Sequence, residues 1–233
     1  MFCARSRNRD FTPAVPFLVA YDPIVAMFAG EGRWRASLLK QLAPCASDVI
    51  ADIGCGTGSQ LALAGKTSPS ARLIGIDPDQ KILKMASAKL ARSGVSARLC
   101  CGYLREVDSI LGGASVTKIV SSLVFHQVPL AEKEAGLRSI IEALTPGGEV
   151  HIADYGLQRS IAMRTLFRLV QCVDGFADTQ PNADGVLPDL MRLAGFIDVE
   201  ETAVFPTLTG SISLYRGRKP ELAKPLHRTR SSF

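Results

Sequence analysis

The run Val49-Ile50-Ala51-Asp52-Ile53-Gly54-Cys55-Gly56-Thr57-Gly58 decides the fold, together with Gly75-Ile76-Asp77-Pro78 downstream. Val49-Ile50-Ala51 reads as a short buried strand that ends on the Asp52 carboxylate. Three glycines at alternate positions then permit a tight turn and a close approach of backbone to ligand. Gln60-Leu61-Ala62-Leu63-Ala64 opens a helix. The second acid, Asp77, lies 19 residues beyond Gly58, where a βαβ unit brings a carboxylate to a ribose. The segment reads as a nucleoside-cofactor site.

The details narrow the nucleoside. A dinucleotide fingerprint spaces its glycines G-x-G-x-x-G/A and aims a helix N-terminus at a pyrophosphate. Here Gly58 comes one residue early, Ser59 stands where the third small residue belongs, and Asp52 precedes the first glycine by two. A negative charge there is ill placed beside a pyrophosphate and suits a cationic amino group. Asp-x-Gly-x-Gly-x-Gly followed by the spaced Gly-x-Asp resembles motifs I and II of the class I S-adenosylmethionine-dependent methyltransferases. That cofactor carries an ammonium, a sulfonium and a ribose diol, so two carboxylates facing one cleft make electrostatic sense.

The resemblance runs over roughly residues 49–217. Lys118 to Val128 looks like motif IV, Leu144-Thr145-Pro146-Gly147-Gly148 like the turn into the fifth strand, and Ala194-Gly195-Phe196 like the approach to the last two. Tyr21-Asp22-Pro23 resembles the N-terminal segment of the ubiquinone and menaquinone ring C-methylating group. The resemblance implies an α/β fold. It is a single Rossmann-like domain with a seven-stranded, mostly parallel sheet, helices on both faces and a C-terminal antiparallel hairpin. Residues 1–46 are expected to form an N-terminal lid and helical segment, 47–218 the methyltransferase domain, and 219–233 a basic, disordered tail.

The pattern of apolar residues agrees. Helices are expected at 32–42, 59–66, 79–93, 103–111, 130–144, 159–177 and 186–194. Strands are expected at 48–53, 71–77, 96–101, 117–124, 148–154, 197–205 and 211–217. In the 79–93 helix, Ile82, Met85, Ala86 and Leu90 recur at helical spacing and are expected to face the sheet. The 159–177 helix has apolar residues around most of its circumference. Two readings stay open for it: a doubly covered core or dimer helix, or a wall over an apolar substrate.

Composition bounds the rest. The 233 residues fit one domain, and 47% are hydrophobic. No stretch approaches the ~18 consecutive apolar residues of a membrane span, nor does the N-terminus read as a signal peptide, so the expected location is the cytoplasm. Of the net charge of +5, residues 1–10 contribute +2 and 216–233 contribute +5, which leaves the middle at −2. Basic ends on an acidic middle do not make a nucleic-acid surface. The six cysteines form no C-x-x-C and the three histidines are scattered, so no metal site is expected; the Cys100-Cys101 pair reads as small buried hydrophobes.

The resemblance also assigns residues. Asp52 and the backbone of Gly54, Gly56 and Gly58 hold the methionine end, Asp77 the ribose hydroxyls, and Pro78 lines the adenine. Where the family often has Gly-Asp after the third strand, this chain has Gly102-Tyr103, so the adenine is expected against Tyr103 or Leu104. Ser121, Ser122 and Leu123 close the site, with Tyr21 as a lid. His126, Asp154 and Tyr155, at the ends of strands four and five, are the catalytic candidates. His126 has two open readings, a general base or an orienting and packing residue. The expected reaction is in-line methyl transfer to a small, apolar or aromatic acceptor, and a homodimer is possible. Two rivals are carried: an NAD(P)-dependent oxidoreductase, and a non-catalytic S-adenosylmethionine-binding protein.

Overall fold

The computed structural model describes residues 31–112 and 116–221. Tyr21 and the remainder of the expected N-terminal lid lie outside them, as does the tail from residue 222.

Strands and helices alternate as α1 (Glu31–Leu42), β1 (Val49–Ile53), α2 (Ser59–Thr67), β2 (Arg72–Asp77), α3 (Gln80–Arg92) and β3 (Arg98–Cys101). The chain continues through α4 (Val107–Leu111), β4 (Val116–Ser122), α5 (Leu130–Ala143), β5 (Leu144–Tyr155), α6 (Ile161–Asp174), α7 (Phe176–Ala183) and α8 (Leu187–Leu193). It ends in β6 (Ile197–Thr207) and β7 (Gly210–Arg218). The seven strands lie in the order β3-β2-β1-β4-β5-β7-β6. β1 to β5 are parallel, while β7 runs antiparallel to both β5 and β6.

All five residues of β1 are buried, as a central parallel strand covered on both faces requires. Alternate side chains feed two cores. Val49, Ala51 and Ile53 pack with α4, α5 and α8 through Leu111, Leu137, Ile140 and Leu190. Ile50 packs on the other face with Trp34, Leu38 and Leu42 of α1 and with Leu61, Leu83, Leu90 and Phe167. Strand order reverses between β1 and β4, and the carboxyl ends of strands at such a switch point are the usual ligand position in open α/β sheets.

Four sequence expectations change. In α3 the buried face is Leu83, Ala86 and Leu90, while Met85 is exposed, so the helix is rotated by about one position from the expected stripe. The expected 159–177 helix breaks at Gly175, whose φ of 92° and ψ of 135° no helix accommodates, and α7 starts anew after it. Thr145 to Gly148 are a bulge inside β5, since Leu144 pairs with Val116 but Glu149 already pairs with Lys118. Lys219, placed in the tail by its charge, is tied down: its N–H donates to the Gly148 carbonyl at 2.8 Å and its Nζ to the Leu144 carbonyl at 2.8 Å.

Candidate active site

The glycine turn is held from behind. Gly54 and Cys55 donate their N–H groups to the Ile76 carbonyl at 2.8 and 3.0 Å, which bonds the turn to β2. Gly54 has φ +67°, and a Cβ there would meet Val124 Cγ2 at 2.2 Å. Gly56 has φ +52°, yet a Cβ there would meet nothing within 4 Å, so its outer side faces open space. Lys89 of α3 reaches over to Thr57 Oγ1 at 3.2 Å and Ser59 Oγ at 2.6 Å, bracing the far side of the turn.

The two carboxylates differ in kind. Asp77 Oδ2 accepts from the Gly56 N–H and Oδ1 from the Asp79 N–H, both at 3.0 Å. The two donors orient the carboxylate and leave each oxygen a lone pair for a ribose hydroxyl. Burial raises the Asp77 pKa against the pull of these N–H groups. Asp52 is 1% exposed, and neither oxygen has a partner among the described residues. Burial pushes its pKa up to about 7, opposed by the Arg35 charge and helped by Asp77. A buried carboxylate without a hydrogen bond is costly, and a cation in the crevice relieves the cost. An orphaned acid at the strand end, an open face over Gly56 and an oriented acid at Asp77 therefore fit the ammonium and the ribose of S-adenosylmethionine.

The adenine side is less uniform. Gly102 donates its N–H to the Asp77 carbonyl at 3.2 Å, and Pro78 is exposed. Tyr103 is half exposed with the Arg105 guanidinium 5.8 Å from its ring centroid. Leu104 corrects the expectation: its side chain is buried in the core, where it fills the space a Cβ on Gly136 would need. Of the two expected adenine contacts, Tyr103 alone presents a side chain outward. Cys101 beside it is exposed rather than buried, with its thiol 3.4 Å from the Pro78 carbonyl.

At the β4 end, Ser121 is fully buried and donates to the Ile53 carbonyl at 2.9 Å, so its hydroxyl locks β4 to β1 instead of facing a ligand. Ser122 accepts from Arg35 Nη1 at 3.4 Å. Leu123 has φ 57°, rare for a residue with a side chain, and its N–H donates to the Ala153 carbonyl at 2.8 Å. This strained turn carries the chain on to Val124, whose side chain covers Gly54.

His126, Asp154 and Tyr155 do come together, as a buried unit. Asp154, fully buried, accepts the backbone N–H groups of Val124 (2.9 Å), Phe125 (2.6 Å) and Tyr155 (2.8 Å) and contacts His126 Nδ1 at 2.8 Å. His126 Nε2 lies 3.3 Å from Asp174 Oδ2 at the end of α6. Burial opposes the charge on the ring, but the two carboxylates outweigh it and push the pKa up to about 9. The ring is thus doubly protonated at neutral pH and has no lone pair with which to take a proton. Tyr155 packs edge-on to His126 at 5.0 Å, and its hydroxyl bonds Thr209 Oγ1 at 2.8 Å.

Sequence reading missed three charged residues here. Lys133 is buried and donates to the carbonyls of Val128 and, at 2.8 Å, Asp178, with burial lowering its pKa to about 8. Its signal was available: it shares a helical face with Leu137 and Ile140, an odd place for a lysine. Asp174 and Arg35 carried no such signal.

A glycine-cradled nucleoside site at the switch point of a seven-stranded α/β sheet defines a class, the Rossmann-like cofactor-binding domains. Residues 50–148 match the family model described as a methyltransferase domain. The chain is similar to the demethylmenaquinone methyltransferase of Lactobacillus johnsonii, at 28% identity over 62% of this chain and 58% of that protein. It is also similar to the ubiquinone/menaquinone biosynthesis C-methyltransferase UbiE of Geobacter sulfurreducens, at 23% identity over 92% of this chain and 88% of that one. It thus spans somewhat over half of the first relative's length and most of the second's. Among solved structures, the magnesium protoporphyrin IX methyltransferase of Synechocystis with bound S-adenosylhomocysteine shares the fold at a TM-score of 0.62 and 15% identity, covering 82% of this chain and 84% of that one. These matches support a class I S-adenosylmethionine-dependent methyltransferase, with S-adenosylmethionine as the cofactor.

Proposed function

We propose that the protein transfers the methyl group of S-adenosylmethionine to a small, apolar or aromatic acceptor by in-line displacement. The cofactor supplies a methyl carbon on a sulfonium, so an acceptor electron pair forms the new bond to carbon while the C–S pair leaves to sulfur. The protein's share is alignment and exclusion of water. Asp77 and the glycine turn fix the nucleoside end, and Asp52 holds the cationic end through charge.

The observation that carries this reading is the engagement of both His126 nitrogens by Asp154 and Asp174. With that ring committed to carboxylates, the rim offers an alignment surface in place of a free base. Such a rim suits an electron-rich carbon, or a heteroatom that arrives ionised, and the likeness to ring C-methylating enzymes points the same way. The oxidoreductase reading suffers from Asp52, a buried acid where a pyrophosphate would lie. The test is incubation of cell extract with protein and methyl-labelled cofactor, followed by mass spectrometry. A labelled small molecule with a new carbon–methyl bond supports the proposal; label found only in protein or nucleic acid overturns it.

A further inference from the structure

We infer that the outer face of α6 is a docking surface for an anionic lipid bilayer, on which the protein lies without crossing it. The inference goes beyond the methyl-transfer reading and stands or falls separately from it. α6 buries Phe167 and Val170 against the sheet, yet its opposite side is apolar as well. Ile161, Leu169 and Val173, with Phe176 just past the Gly175 break, are between 58% and 86% exposed, and Cys172 is exposed beside them. At ~100° per residue, Ile161, Thr165, Leu169, Cys172 and Val173 fall within about a third of the helix circumference. The one hydroxyl in that sector is satisfied within the helix, since Thr165 Oγ1 donates to the Ile161 carbonyl at 2.9 Å. The hairpin turn next to α6 carries a further exposed apolar residue. A Cβ on Gly210 would lie 3.1 Å from Phe167 Cβ, so the β6–β7 turn abuts the helix, and Leu208 is exposed at its tip.

Charge selects the occupant. Arg164 and Arg168 line one edge of the apolar sector, and the single acid of α6, Asp174, points away from it into the contact with His126. Arg164 is paired with Asp184, whereas Arg168 is exposed and has no hydrogen bond or ion pair among the described residues. Exposed apolar side chains bordered by arginine, with no acid of the helix on the same face, suit a bilayer interface with negative head groups. There the aliphatic and aromatic groups leave water and the guanidinium meets phosphate. A second copy of the chain fits less well. Packing α6 on itself across a two-fold axis brings unpaired arginine toward unpaired arginine with no acid between them. Among the described residues no helix is long and apolar enough to cross a membrane, so the contact is a surface one. Because Asp174 ties the C-terminal end of α6 to His126, docking α6 sets the turn after β4 beside the lipid.

Flotation of the full chain with vesicles tests this, using phosphatidylcholine alone and phosphatidylcholine with about one third phosphatidylglycerol. The wild type is expected to bind the anionic vesicles at least ~10-fold more tightly than the neutral ones and to be released by high salt. Arg168→Gln should cost ~5-fold on the anionic vesicles only, the worth of one cation at such a surface. Leu169→Ser combined with Phe176→Ser should cost at least ~10-fold. Leu193→Ser, which changes an exposed leucine on α8, should cost nothing. Binding carried by the basic ends of the chain would survive the Leu169 and Phe176 changes and overturn the inference. A second readout needs no substitution: anionic vesicles should slow alkylation of Cys172 by a charged maleimide and leave the exposed Cys45 unaffected. A wild type that floats with neither vesicle, or a Cys172 that reacts equally with and without vesicles, overturns the inference. So does dimerisation in solution that buries Cys172. None of these outcomes bears on methyl transfer, which is read from labelled product.

Discussion

His126 Nε2 stands 3.3 Å from Asp174 Oδ2, and this contact joins the short turn after β4 to the C-terminal end of α6. Because Nδ1 is held by Asp154 at 2.8 Å, the imidazolium is a buried cation between two carboxylates from separate parts of the chain. Lys133 makes a parallel tie from α5 to the Asp178 carbonyl in α7, a helix with Pro181 in its interior. α6 and α7 are thus fastened to the turn after β4 and to α5 through His126 and Lys133.

The first consequence is a pH-dependent stability. His126 has its pKa raised from 6.5 to about 9, so its contribution is fully present below pH 6.5 and is lost as pH rises through 9. At 1.36 kcal/mol per unit the span is about 3 kcal/mol. Lys133 acts in the opposite sense only above about pH 8, and the raised Asp52 carboxyl adds its own fall up to about pH 7, so the interval from about 7 to 8 is where the histidine dominates. Denaturant unfolding should show wild-type stability falling over that interval and His126→Gln nearly flat. A wild type that gains stability there would show that the ring folds neutral.

Turnover should not acquire an acid limb from His126. A ring protonated up to about pH 9 keeps one charge state between pH 6 and 8, so kcat should be level in that range on its account. Asp174→Asn lowers the ring's pKa and should introduce a slope where the wild type had none. A wild-type rate that rises through pH 6.5 and loses that rise in His126→Gln would restore the general-base role.

Asp52 makes cofactor affinity depend on pH. Its buried carboxyl sits near pH 7, faced by Arg35 from α1, Asp77 from β2 and the buried Cys55 thiol of the turn, which burial raises well above its usual range. An ammonium ligand favours the ionised acid, so binding near pH 7 should release a proton. Affinity for S-adenosylhomocysteine should then fall by up to ~10-fold per pH unit below 7. Calorimetry in buffers of different ionisation enthalpy measures the proton directly. Asp52→Asn should abolish the release, and an unchanged proton count in that variant would place the titration elsewhere.

Asp77→Ala should weaken S-adenosylhomocysteine by about 1.5–3 kcal/mol, the worth of hydrogen bonds to a charged acceptor. The same change removes the acceptor that orients the Gly56 N–H, so part of the loss belongs to the turn. Asp77→Asn keeps one acceptor oxygen and should recover part of the affinity. Unchanged binding in both variants would mean that the ribose lies elsewhere.

The parallel sheet, the terminal hairpin and the glycine turn between Asp52 and Asp77 were legible in the sequence. Their signals are local: a glycine spacing, an acid at a strand end, an apolar period. What escaped was made by contacts between distant positions. Arg35 meets Ser122 across 87 residues and Lys133 meets Asp178 across 45, and no periodicity links such pairs. Leu104 was misplaced because Gly136 opens a core pocket that its neighbours in sequence do not announce. The break at Gly175 was hidden by apolar residues on both sides of it, although Gly with Pro181 close behind is a fair warning.

Gly54→Ala separates two demands on the first motif glycine. Its φ of +67° costs a side-chain residue about 1–2 kcal/mol. The new methyl would also meet Val124 Cγ2 at 2.2 Å, an overpacking worth about 1–3 kcal/mol. Val124 cannot easily retreat, because its N–H is bonded to Asp154 and it follows the strained Leu123. Unfolding measurements should therefore show a loss of about 2–5 kcal/mol in the single variant. Gly54→Ala with Val124→Ala should recover the packing part and keep the backbone part. If the second substitution recovers nothing, Val124 is not what Gly54 makes room for, and the conformation of the turn alone sets the cost.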